Sequence, residues 1–219
     1  MTSSKLFQLS MLSAWLLGAA LPTTAAVVFH TTLASFQGAS SSALQADFQG
    51  FNTLADTPGA PNPYTSGSVR FSHPSNLYIA AVGGAAALAD FDVAPTSNVL
   101  TVSGNEDIAM NFLDLTTTAV GFTTYTNRFG APTVEVYDLA DVLLDSFVLT
   151  QGPGTIGFVG ITSTTAIGRV QWTPINGHIK DTAIDDVLVG HARVPEPASV
   201  ALVGLGLVAL AAMARRRRQ

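Results

Sequence analysis

Two adjacent carboxylates late in the chain, Asp185 and Asp186, are the residues best placed to do chemistry. They sit in Ala183-Ile184-Asp185-Asp186-Val187-Leu188-Val189, whose apolar content predicts a strand. In a strand, successive side chains point to opposite faces. Ile184, Asp186 and Leu188 would then share one face, and Ala183, Asp185, Val187 and Val189 the other. Either carboxylate stands among apolar neighbours, where an unpaired charge is costly. Hard oxygen ligands of this kind suit a structural Ca²⁺. The same aspartates could instead cap turns, or pair with Lys180 or Arg169.

Other chemistry is thinner. Sugar binders use exposed aromatic platforms, and Tyr64, in the Pro/Gly/Asn-rich loop from Asp56 to Ser66, is the exposed candidate for carbohydrate. Trp172 alternates in step with Val170 and is expected in the core. His30, His73, His178 and His191 are scattered, with no metal-binding spacing, and read as solvated or hydrogen-bonded residues at strand ends. No nucleophile elbow, phosphate-binding loop or dinucleotide fingerprint is present. A glycosidase needs two carboxylates flanking the scissile bond. The central region offers only Glu106 and Glu135 as glutamates, and Asn105-Glu106-Asp107 reads more easily as a turn. The expectation is a protein that is not an enzyme and has no catalytic residue; the alternative is a secreted glycan hydrolase.

The elements that must position these residues are mostly strands. Period-two patterning predicts strands over Val27–His30, Asp47–Phe51, Val69–Ser72, Tyr78–Val82, Val99–Val102, Ile108–Leu113, Ala119–Thr126, Thr133–Leu139, Val142–Thr150, Ile156–Ile161, Ile167–Thr173 and Thr182–Val189. Thr32–Ala46 allows a short helix, weakened by Gly38 and its serines. Short strands with frequent turns predict a sandwich or closed barrel. No crossover helix lies between them, so the pairing should be mostly antiparallel.

The two ends differ from this middle. Met1 to about Ala26 has Lys5, an apolar core over Leu9–Ala20, and small residues at Thr24 and Ala26, the pattern of a cleaved secretion signal. It predicts signal peptidase and the secretion machinery as partners. The other end, 194–219, has three parts: Pro195-Glu196-Pro197, an uncharged run Ala198–Ala214, and Arg215, Arg216, Arg217 and Arg218. As a helix at ~1.5 Å per residue the run covers roughly 25 Å, slightly short of a ~30 Å hydrocarbon core. Snorkelling arginines or local thinning would absorb the shortfall, and the arginines hold that end in the cytoplasm. The chain therefore divides into a signal (1–26), a β domain (27–193) and a membrane tail (194–219).

The β domain carries five cations against fourteen carboxylates, a net charge of −9, which the tail arginines mask in the whole-chain value of −5. Such a surface lacks the basic footprint that nucleic acid requires. Cysteine is absent, which excludes disulfides and thiolate metal sites.

The tail resembles the PEP-CTERM sorting signal of Gram-negative bacteria, in Pro195, Glu196 and Pro197, the short Gly-containing span and the arginine cluster. The resemblance implies recognition by a membrane protease-transpeptidase, the exosortase, after export through the inner membrane. Cleavage near the motif would end a transient membrane anchorage and pass the protein toward the cell surface and its exopolysaccharide matrix. The rival reading is a plain C-terminal anchor on a proline-containing stalk. Four further stretches, Asp47-Phe48-Gln49-Gly50, Ala119-Val120-Gly121-Phe122, Gly157-Phe158-Val159-Gly160-Ile161 and Ala183-Ile184-Asp185-Asp186-Val187, resemble the jelly-roll cargo domains of PEP-CTERM proteins. More distantly they resemble galactose-binding-like and carbohydrate-binding jelly rolls. That resemblance implies an antiparallel β-sandwich whose terminal strands are neighbours, bringing Asp47 near Asp185 and Asp186 to complete a calcium site. It also implies a structural or adhesive role in exopolysaccharide or biofilm.

Overall fold

The computed structural model describes residues 26–51, 59–74, 76–80, 95–102, 108–126, 133–152, 154–173 and 183–193, without the side chains of Trp172 and Thr173. The expected secretion signal (but for Ala26) and the expected membrane tail lie outside the described residues. Among the described residues no helix is long and apolar enough to cross a membrane.

In chain order the elements are β1 (Val27–His30), α1 (Leu33–Ala39), β2 (Ser40–Ala46), β3 (Gly59–Ala60), β4 (Tyr64–Ser66), β5 (Val69–Ser72), β6 (Leu77–Ala80) and β7 (Val99–Val102). They continue as β8 (Ala109–Phe112), β9 (Ala119–Thr126), β10 (Thr133–Asp138), β11 (Leu143–Val148), β12 (Thr155–Ser163), β13 (Ile167–Thr173) and β14 (Ala183–Ala192). The described strand pairs are antiparallel and form two sheets. The first runs β1-β12-β9-β14-β7-β6-β3, and the second runs β11-β10-β13-β8-β5-β4. From β7 onward the chain passes repeatedly from one sheet to the other, so neighbours in space are distant in sequence.

Apolar residues from both inner faces form one core. Val120, Phe122, Ile161, Ile184 and Val187 come from the first sheet, and Met110, Val134, Val136, Val170 and Phe71 from the second. Each is fully buried, worth about 1.5–3 kcal/mol against exposure. In β9 the expected face Val120, Phe122 and Thr124 is buried, but so are Ala119, Gly121, Tyr125 and Thr126, so the strand is covered on both faces and its burial does not alternate.

The segment Thr32–Ala46 splits. Thr32 caps α1 by accepting from the Ser35 N–H at 3.2 Å, and after the seven residues of α1 the chain extends into β2. Phe36 is the buried anchor of α1, and it sits over Gly121 of β9 and Gly160 of β12. A Cβ at either glycine would lie within 2.8 Å of the Phe36 side chain, so the two glycines make the seat for the helix.

The strand expected at Asp47–Phe51 is a turn instead. Phe48 adopts φ 54°, and the Gln49 N–H donates to the Asp47 carboxylate at 3.2 Å. Left-handed backbone is unfavourable for phenylalanine. Burial of its ring against Phe71 (centroids 5.4 Å) offsets that cost.

Candidate functional site

β14 is the long strand that organises the acidic cluster. Along one edge it pairs with β9; along the other, Ala183 and Ile184 pair with β7, and Val187 to Ala192 pair with β2. The hand-over falls at Asp186, whose φ of 49° marks a bulge with a register shift on the β9 side. Regular alternation is therefore broken. Ile184, Val187 and Val189 share the core, and Asp186 is exposed to solvent. This corrects the expected grouping of Ile184 with Asp186 and Leu188.

Asp185 is 1 % exposed and lies on the face of Ala183 and Tyr125, away from the main core. One carboxylate oxygen accepts from the Ser97 hydroxyl, the other from the Asp186 N–H at 2.8 Å. Burial pushes the carboxyl up to about 6, against the pull of those two donors, and the charges of Asp186 and Asp47 push the same way. Asp47 follows Ala46, which pairs with Val187, so the topology does bring all three aspartates to one end of β14. The Asp47 turn is tied to the Ser97 segment: Asn98 Nδ2 donates to the carbonyls of Phe48 (3.4 Å) and Phe51 (3.2 Å).

The geometry of the described residues gives the calcium reading no support. Each Asp185 oxygen already accepts from one protein donor, and Asp186 is exposed at the bulge. Among the described residues no three His, Asp or Glu side chains are grouped to hold a metal. The arrangement acts as a polar brace joining β14, the Asp47 turn and the start of β7.

Tyr64 is not the exposed platform its loop predicts. It opens β4, opposite Phe71 on β5. Its ring is partly buried, stacks on Phe71 (6.0 Å, 20°) and meets Phe51 edge-on at 5.1 Å. Trp172 stands opposite Val134 in the sheet, and its side chain is outside the described residues, as are His178 and Glu106. His30 is buried, its ring nitrogens bonded to Ser35 (2.9 Å) and Thr162 (3.0 Å), and burial lowers its pKa. His191 Nδ1 is 3.1 Å from the Thr116 carbonyl.

A polar band that the sequence reading missed crosses the outward face of the second sheet. Glu135 and Tyr137 of β10 alternate with buried Val134 and Val136. Across the strand pairs, Glu135 stands opposite Gln171, and Tyr137 opposite Arg169. Arg169 stands opposite Asn111, and Asn111 opposite Arg70. At ~4.8 Å per strand, the row from Tyr137 through Arg169, Asn111 and Arg70 to Thr65 is roughly 19 Å long.

The band is internally braced. The Tyr137 hydroxyl donates to Glu135 Oε2 at 2.8 Å, and the Arg169 guanidinium lies 3.8 Å over the Tyr137 ring. Arg169 also donates to Asp141 Oδ1 through Nε (3.0 Å) and Nη2 (2.6 Å), and to Gln171 Oε1. Asn111 Nδ2 reaches the Arg70 carbonyl and the Ser72 hydroxyl, each at 3.4 Å. Burial, and then the Glu135 carboxylate, raise the Tyr137 pKa, so the phenol keeps its proton at neutral pH. The result is a row of oriented donors and acceptors, with one aromatic ring held in place.

Comparison with known proteins adds the end of the chain. Residues 193–218 match the PEP-CTERM protein-sorting motif. The motif marks an exported protein with a C-terminal sorting signal and implies exosortase as the processing partner. No protein of curated function matches the chain. Solved structures similar to it include a mutant family 29 carbohydrate-binding module complexed with cellulohexaose. That match has 10% identity over 70% of this chain and 92% of that one, with TM-score 0.34. Another is the family 11 carbohydrate-binding module of a Clostridium thermocellum cellulosomal cellulase, with 10% identity over 72% and 99% of the two chains and TM-score 0.35.

Proposed function

We propose that this protein is an exported surface or matrix component that binds polysaccharide through the outward band of its second sheet. The sandwich is read as a jelly roll, and the tail as an address removed by exosortase once the protein has crossed the inner membrane of a Gram-negative cell. The observation that carries the reading is the braced row of Glu135, Tyr137, Arg169, Gln171 and Asn111 on one face. Sugar hydroxyls are recognised by planar side chains with paired donors and acceptors, and bracing limits the entropy lost on binding. A row of this length suits an extended chain of sugars better than a single residue. The adhesive or biofilm role follows from binding a matrix glycan at the place where sorting delivers the protein.

The band supports binding without catalysis. Glu135 accepts a hydrogen bond from Tyr137, and hydrolysis would need a second carboxylate across a scissile bond. Affinity electrophoresis in gels containing the host's exopolysaccharide tests the proposal. The wild-type protein is expected to be retarded. Tyr137→Ala and Arg169→Ala should each lose most of the retardation, with affinity falling about tenfold for ~1.4 kcal/mol. Release of reducing sugar that Glu135→Gln abolishes would favour the hydrolase instead.

A further inference from the structure

We infer that the pole of the sandwich from which the sorting motif leaves is the surface against which the membrane-embedded sorting protease docks. The inference rests on the sorting reading. The motif match begins at residue 193, and β14 ends at Ala192, so no spacer separates folded domain from motif. The last residues are tied down: the Ala192 N–H donates to Thr118 Oγ1 at 2.8 Å and the Arg193 N–H to the Ala39 carbonyl at 2.8 Å. Fraying to gain slack would forfeit those bonds at about 1 kcal/mol each. From Arg193, three residues of chain at ~3.3–3.6 Å each reach Glu196, so the motif lies within roughly 11 Å of the folded domain. An enzyme that closes on the motif meets this pole.

The pole is shaped for contact. Arg193 sits on the rim of a cavity of about 440 Å³, where the apolar side chains of Val28, Ala39 and Ala192 lie beside His30 and a set of threonine and serine hydroxyls. Val28 is 51% exposed there. A cavity with this mixed lining accepts an apolar side chain, with a polar edge, presented by a membrane protein's extracytoplasmic loop. The short leash would hold the two surfaces together.

Pulse-chase of the full chain in its native host tests this, reading the shift at the sorting motif. Val28→Glu and Ala39→Glu place a charge at the cavity, and an unchanged melting temperature of the released domain shows that folding is intact. Each is expected to slow processing about tenfold or more, because a charge buried in the contact is left unpaired. A Gly/Ser spacer of about twelve residues between Arg193 and Val194 gives roughly 19 Å of reach and is expected to restore the rate. Normal processing of both glutamate variants, or no rescue by the spacer, overturns the docking. Absence of processing in the wild type sinks the sorting reading itself.

Discussion

Asp185 is buried with both carboxylate oxygens engaged, and that burial has a pH signature. Its folded pKa of about 6 lies above the ordinary 3.8, so between those values the folded state holds a proton that the unfolded state has released. Its contribution to stability is therefore greatest below about pH 4 and is lost as pH rises through 6. Asp185→Asn should stabilise the fold at pH 7, by at most about 3 kcal/mol at ~1.36 kcal/mol per pH unit, and raise the melting temperature accordingly. The gain should vanish by pH 4; thermal scans at the two pH values check it. Asp186 makes the opposite case. It is exposed with φ 49°, so Asp186→Gly relieves left-handed strain and should be neutral or stabilising by up to about 1 kcal/mol. Calcium should shift the melting temperature no more than magnesium does, before or after that change. A calcium-specific rise lost in Asp186→Gly would show that the aspartates do converge on a cation.

At the scale of elements, the glycines of β9 and β12 seat α1 by leaving room for Phe36. Gly160→Ala should destabilise by about 1–3 kcal/mol through overpacking, measured by denaturant titration. Phe36→Leu should recover part of the loss in the double variant. Most strands were legible because their apolar residues recur every second position, as in Val134 and Val136 or Val120 and Phe122. Two features were not. Ile184-Asp185-Asp186-Val187 looks regular in sequence, and the bulge exists because β14 changes partners from β7 to β2 there. Asp47–Phe51 alternates like a strand, yet Phe48 turns back to bury its ring beside Phe71 and Tyr64. The same cluster draws Tyr64 out of solvent. The polar band was hidden for a related reason. Glu135, Arg169 and Asn111 each read as the solvent side of a separate strand, and only the register between β10, β13 and β8 places them in one row.

Across the whole molecule, the proposal divides the work: the tail delivers and the sandwich binds. The tail was readable because its signal is local: a proline-glutamate motif, an apolar run and four arginines in sequence order. The band on which the proposed binding rests is spread over strands far apart in the chain, and only the fold brings it together. If sorting proceeds as proposed, intact-mass measurement of protein recovered outside the cell should find Arg215 to Arg218 missing. Recovery with the arginine end intact would favour a plain anchor.

The most direct measurement is of binding by that recovered protein to the host's own exopolysaccharide, in a gel-retardation titration comparing wild type with the Tyr137→Ala, Arg169→Ala double variant. Retardation of the wild type, with affinity reduced at least about tenfold in the double variant at unchanged melting temperature, is the predicted result. Equal retardation of the two proteins, or none by the wild type, would contradict it.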